Sequence, residues 1–176
     1  MPSEENTKHQ VLLLGKSTFS SFKTNKIIKF QKTNYSLNIK SITDLFVLEI
    51  SQKSYQSNKT NILKLLDARE VRDIDQNSII ICPRRGTESP WASKSKDIFI
   101  SCGVEDLFNI EKLRLYKTEG VNELNDSELF DPLTEEHIKK ENLSNLFHKN
   151  NKKLLKEIDL KQNINEINAK LGLALN

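Results

Sequence analysis

Apolar positions along the chain fall into short runs separated by polar, turn-forming stretches, and their spacing predicts strands and helices in alternation. Val11-Leu12-Leu13-Leu14 is a continuous apolar run that stops at Gly15, as a buried strand does. Residues 17–32 contain no Gly or Pro, and Phe19, Phe22, Ile27 and Phe30 share one side of a helical wheel. Lys23 and Lys26 share that side too. Either their stems lie along the apolar surface with the ammonium groups reaching water, the default for lysine, or the face meets a partner. From Leu37 to Ser51 the pattern is extended, with Phe46, Leu48 and Ile50 alternating with Val47, Glu49 and Ser51, apolar enough for a central strand. A polar loop rich in Ser, Asn and Gln leads to a helix over about 59–68, carrying Ile62, Leu65 and Leu66 at i, i+3, i+4. The charged link 69–76 reaches a β-branched strand at 78–82. A loop bounded by Pro83 and Pro90 then enters a helix over 93–102 that stops at Gly103. Residues 107–118 are extended again, and 121–133 are acidic and turn-rich. A third long helix is predicted over 134–155, its Thr134-x-x-His137 start lacking the acidic member of a capping box.

In order, these elements read strand, helix, strand, helix, and then the same four again. Identity between the halves is negligible, so the repeat is one of order. Two βαβα-like halves predict an α+β fold: a pseudo-dimeric antiparallel sheet domain with helices on one face, followed by a helical linker segment. A doubly wound α/β fold is the alternative, but Gly15-Lys16-Ser17 lacks the preceding glycine of a phosphate loop. The boundaries drawn are a disordered tail over 1–8, the α+β pseudo-dimer over 9–124, a closing helical segment over 125–155, and the start of a linker over 156–176. The last is expected to pack little against the rest, because 156–168 is polar.

Composition adds constraints. The apolar fraction of 36% is low against about 45–50% for globular chains, so part of the chain is expected to be thinly packed or to lie on something else. The net charge of +3 is too small to require nucleic acid, and it is uneven: residues 1–120 carry 19 basic and 14 acidic side chains, residues 121–176 carry 8 and 10. No apolar run approaches the length of a membrane span and the first residues lack the regions of a signal peptide, so a cytoplasmic location is expected. Cys82 and Cys102 have no histidine at metal-ligand spacing and read as two free thiols. No catalytic and no metal-binding residue is assigned.

Chemistry concentrates in the stretch from Pro83 to Ile98. Arg84, Arg85, Lys94 and Lys96 with the hydroxyls of Thr87, Ser89 and Ser93 surround a helix start, where backbone amides carry partial positive charge. Such a loop could hold an anion or bind the carboxylates of a partner surface. The plain alternative is that Pro, Gly and Ser form an ordinary loop, a serine caps the helix, and the charges are solvated. Trp91, the only tryptophan, stands between Pro90 and the expected helix start as a rigid anchor, or else closes the domain's own core.

The string Pro83-Arg84-Arg85-Gly86-Thr87-Glu88-Ser89-Pro90-Trp91-Ala92-Ser93-Lys94-Ser95-Lys96-Asp97-Ile98, with Cys102-Gly103 behind it, resembles a signature near the start of the large single-chain phosphoribosylformylglycinamidine synthases. Ser20-x-Phe22-Lys23-x-Asn25-Lys26 resembles a second string of that family, and Asn168-Ala169-Lys170-Leu171-Gly172-Leu173-Ala174-Leu175 the start of its linker helix. The resemblance runs from about residue 11 to the end and is faint over 125–162. Between Glu135 and Leu155 the family's Met-Thr-Glu string is missing.

The resemblance implies an N-terminal domain built like two fused copies of a small α/β subunit, ahead of ATP-dependent synthase domains and a glutaminase domain. It implies a parent ligase that converts formylglycinamide ribonucleotide, glutamine and ATP to the amidine with Mg²⁺, in purine synthesis. This chain, which stops without those regions and is expected to be a fragment or truncated product, would be inactive alone and would itself hold no cofactor. It would dock on the synthase and glutaminase parts, helping to shape the synthase site and retain ammonia. The interface residues implied are Arg84, Arg85, Gly86, Thr87, Ser89, Pro90, Trp91, Ser93 and Lys94, with Lys23, Asn25 and Lys26 as a secondary surface. From a different class, a small basic nucleic-acid binder would use Lys16, Lys23, Lys26, Lys29 and Lys32, although few aromatic platforms beyond Phe22 and Phe30 interleave them.

Overall fold

Three serines start three helices, and these junctions define the layout of the molecule. A computed structural model describes residues 7–86, 88–120 and 129–148. Ser20 accepts from the Lys23 amide to open α1 (Ser21–Tyr35), Ser51 from Ser54 to open α2 (Gln52–Leu65), and Ser89 from Ala92 to open α3 (Pro90–Ser101). Each helix follows a strand: β1 (Lys8–Gly15), β2 (Ile39–Ser51) and β4 (Ser78–Pro83). β3 (Ala68–Glu70), β5 (Leu107–Thr118), β6 (Glu135–Ile138) and a 3₁₀ helix (Lys140–Asn145) complete the chain order.

The six strands form one antiparallel sheet in the order β3-β1-β2-β5-β4-β6. That order is palindromic about the β2·β5 pair: β1 flanks β2 as β4 flanks β5, and β3 and β6 are the edges. The α+β, two-halved reading of the sequence therefore holds. Alternation along β2 sorts its side chains onto two faces. Phe46, Leu48 and Ile50 meet Tyr55 and Ile62 of α2 and Phe99 of α3, while Ile42 and Tyr116 meet Ile27 and Ile28 of α1, so all three α-helices share one face. On the other face, Leu45, Val47, Leu113, Leu115 and Ile80 are covered by Ile74 and by Leu143 and Leu146 around the 3₁₀ helix.

Several elements differ from expectation. Over 134–148 there is no α-helix: β6 pairs with β4, Ile138 beside Ile80 and Glu136 beside Cys82. The expected helix was placed on its start at Thr134-x-x-His137. What decides is the open edge of a buried strand, whose amides and carbonyls need partners that residues 135–138 supply. β3 takes the last residue of the expected helix, Ala68, and the first two of the expected charged link 69–76, whose charges suit an edge strand. α2 begins at Gln52, not near 59, because Ser51 caps it and the buried pair is Tyr55 and Ile62, two turns apart; Leu65 is exposed. On α1 the expected stripe splits: Phe19 and Ile27 pack inward with Ile28, while Phe22 is 79% and Phe30 46% exposed, and Lys23 and Lys26 face solvent. Lys8, assigned to the tail, already pairs in β1 with Ser51. Thr87 and the segments 1–6, 121–128 and 149–176, including the linker over 156–176, lie outside the described residues.

Candidate functional site

The signature loop leaves β4 at Pro83 and enters α3 at Pro90, and contacts to two strands fix its path. The Arg84 amide donates to the Thr134 carbonyl at 3.0 Å. Arg85 gives Glu136 both its backbone N–H and a guanidinium fork, Nε to Oε1 at 3.0 Å and Nη2 to Oε2 at 3.1 Å. Gly86 turns the chain at φ 92°, where a side chain would be strained. Glu88 pairs with Lys96 at 2.8 Å, and Lys96 reaches Asn109 Oδ1 at 3.3 Å, whose amide donates to Glu49 at 2.7 Å. Ser89 caps α3 and donates through its hydroxyl to Glu111 Oε1 at 2.7 Å. Pro90 takes the first helical position, where a missing N–H is no loss.

Trp91 is therefore in the first turn of α3 and not ahead of it, and Ser93 lies on the helix and is not its cap. Half-buried, Trp91 stacks on Phe46 with ring centroids 5.6 Å apart and planes 25° apart, and Lys112 Nζ lies 5.4 Å from its centroid. Arg84, Arg85, Gly86, Pro90, Ser93 and Lys94 are exposed and Ser89 is half-buried. Pro83, Arg85, Gly86, Ala92, Glu111 and Phe147 line a cavity of about 210 Å³ under the loop. A larger cavity of about 720 Å³, lined by Asn77, Ser78, Thr118, His137 and Lys139, shares no residue with it.

Lys23, one of the secondary candidates, has contacts that lead toward the loop. Lys23 Nζ stands 4.1 Å from the centroid of Phe19, and the same ring lies 5.4 Å from the Arg114 guanidinium. Arg114 pairs with Glu135, the neighbour of the Glu136 that holds Arg85. Asn25 and Lys26 are exposed further along α1.

The two carboxyls that hold the loop titrate in opposite senses. Burial pushes Glu111 above the ordinary glutamate value, and the hydrogen bonds from Lys112 and Ser89 offset it only in part. Burial also opposes the Glu136 charge, but the bonds from Arg85 and the charges of Arg85 and Arg84 outweigh it and hold that carboxyl low. A depressed carboxyl contributes stability above its unfolded value, about 4.3, that is lost as pH falls through the folded value. The stability gap between the wild type and Glu136→Gln is accordingly expected to be largest near neutrality and to close below about pH 4. Urea titrations at a series of pH values check this, and a gap constant with pH would show that the charge on Glu136 contributes nothing.

Cys82 is buried with its Sγ 3.6 Å from the Glu136 carbonyl, and burial pushes its thiol up to about 12, so it stays protonated and unreactive at neutral pH. Cys102 is exposed. Among the described residues no three His, Cys, Asp or Glu side chains come together to hold a metal ion, and no helix is long and apolar enough to cross a membrane.

Sequence reasoning found the loop but missed what holds it. Glu136 was assigned to a helix, and Glu111 passed as one polar residue in a strand. The available signal was position: Glu111 stands at every second residue with Asn109, Leu113 and Leu115, which marks it for the same face as two core leucines. Compared with known families, residues 43–157 match the family model described as "Formylglycinamide ribonucleotide amidotransferase N-terminal", a span that runs from β2 through the whole loop and both strands that hold it.

Proposed function

The chain belongs to the formylglycinamide ribonucleotide amidotransferase N-terminal family, and from that premise we propose that it is a non-catalytic module of a phosphoribosylformylglycinamidine synthase that docks through its signature loop on the synthase and glutaminase parts. The parent enzyme would be a cytoplasmic ligase of purine synthesis that joins nitrogen from glutamine to formylglycinamide ribonucleotide at the expense of ATP. The observation that carries the reading is the division of labour in the loop. It is tied down through the Arg85 backbone and the Ser89 side chain, while Arg84 and Gly86, with Ser93 and Lys94 at the start of α3, remain exposed on a fixed frame. A surface pre-organised in this way loses little entropy on docking. ATP and Mg²⁺ belong in this reading to the synthase part, and no chemical step runs through this domain. What the domain contributes is positioning of the parts that react and exclusion of water from the path of ammonia.

The test is the double change Arg84→Ala with Lys94→Ala in a full-length enzyme of the family carrying this domain. Amidine formation is expected to fall about tenfold or more relative to glutamine hydrolysis, as loss of interface charge contacts does, while the melting temperature of the 176-residue chain stays within about 2 °C. A sharply lower melting temperature, or unchanged coupling, would show the loop to be scaffold. The exposed Lys23, Asn25 and Lys26 on α1 form a second contact in the same reading. Their alternative, nucleic-acid binding by the α1 lysines, has to weaken steeply with salt, and a filter-binding series separates the two.

A further inference from the structure

We infer that Glu111 and Glu136 are positioning residues for the reaction, two carboxyl groups that hold the signature loop in the shape its exposed side chains need to meet the rest of the enzyme. The inference rests on the reading of the loop as a docking surface and adds what fixes that surface. Glu136, on β6, takes the backbone N–H and the guanidinium of Arg85 at the start of the loop. Glu111, on β5, takes the hydroxyl of Ser89 at its end, and the same Ser89 oxygen accepts the Ala92 amide that opens α3. Between them stands the turn at Gly86, and Glu88 beyond it is tied to Lys96. The two strands belong to different places in the sheet, since β5 is central and β6 is the edge. The loop is thus referenced to the sheet at two separated points.

Neither carboxyl is presented to a partner. Glu111 is 7% exposed and Glu136 is half-buried, so both act through the loop. Glu111 is also expensive. It projects on the face that holds Val47 and Leu113, and an apolar side chain there would avoid the desolvation that its raised protonation reports. A costly polar group in an apolar layer is explained by the geometry it enforces. Its geometry also makes a sharp test available. Ser89 Oγ and the Lys112 amide converge on one oxygen, Oε1, at 2.7 and 3.0 Å, so a glutamine keeps that acceptor. At Glu136 the fork uses both oxygens, and a glutamine loses half of it.

The experiment measures amide hydrogen exchange at Arg85 and at Ala92, whose N–H rests on the Ser89 oxygen, in this chain, together with the ratio of amidine formed to glutamine hydrolysed in the full-length enzyme of the family carrying this domain. Glu111→Ala and Glu136→Ala are expected to speed exchange at the nearer of these two amides about tenfold or more, with Ile80 and Leu113 in the sheet unchanged, and to lower the ratio. Glu111→Gln is expected to restore both readouts and Glu136→Gln to restore them only in part, since it keeps Oε1 for the Arg85 amide and loses the Nη2 arm of the fork, a pattern that a bulk packing role does not produce. Arg85 and Ala92 amides that keep their protection would overturn the inference, as would a lowered ratio without faster exchange. Faster exchange with the ratio unchanged would leave the clamp standing and sink the docking reading. Where Glu111→Ala also releases Ile80, Ser89→Ala breaks the same hydroxyl bond from the loop side, and the Arg85 amide and the ratio are judged in that variant instead.

Discussion

Phe46→Ala is expected to destabilise the domain by about 3–5 kcal/mol, the range for removing a buried phenylalanine. The ring is 6% exposed and lies among Val11, Leu13, Leu48 and Ile110, where four strands and two helices share one core. It is also the floor on which Trp91, and with it the first turn of α3, is laid. Truncation opens a cavity beneath α3 that the antiparallel sheet cannot close by moving one strand. In urea the midpoint should drop with the slope unchanged. Because Trp91 is the only tryptophan, native-state emission should shift to the red before unfolding begins. A loss under about 1 kcal/mol, or an unshifted native spectrum, would mean that the site collapses and that Trp91 stands without this support.

How the same ring meets Gly15 shows what a sequence conveys and what it withholds. The run 11–14 and the glycine after it announce a strand and its end, and β1 does end at Gly15. The physical reason is different from the one read along the chain: a Cβ at Gly15 would lie 2.6 Å from Phe46 Cε2, so the glycine makes room for a ring thirty-one positions away. The strands 37–51, 78–82 and 107–118 were legible because alternation and β-branched runs are local signals that burial preserves. β3 and β6 were not, since each is a short charged strand whose only reason to be extended is a neighbouring edge that lacks partners. α2 lost its first two turns for a related reason: Tyr55 is buried with its hydroxyl on Glu70, and a pattern built on Ile and Leu skips it.

The candidate site divides in the same way. Its string of residues stood out by wording and by the density of charge, hydroxyl and proline. The partners that give it shape come from β5 and β6, twenty-two and fifty-one positions from the groups they hold, and nothing local marks Glu111 or Glu136 as belonging to the loop. The helix start was misplaced as well. It was set at Ser93, past the loop's two prolines, whereas Pro90 suits the first helical position and Ser89 is the cap.

Arg114→Ala is expected to cost about 2–3 kcal/mol, less than the ~3–5 kcal/mol of a fully buried pair because its side chain and that of Glu135 are 21% and 29% exposed. The arginine joins the two halves of the fold. It stands on β5 opposite Asp44 of β2, pairs with Glu135 of β6, and lies over Phe19 ahead of α1. Removing it leaves Glu135 without its cation, while Asp44, 4% exposed, keeps the Thr18 hydroxyl at 2.6 Å. Arg114→Met keeps a stem of similar length over Phe19 and separates packing from charge. It should recover little of the loss if the Glu135 carboxylate is what suffers. The double change Arg114→Met with Glu135→Leu should then be less destabilised than the sum of the two single changes by about 1 kcal/mol or more, since neither partner is left uncompensated. Additive losses in urea titrations would show that Arg114 and Glu135 do not act as a pair, and the contact path from Lys23 to the loop would lose its central link.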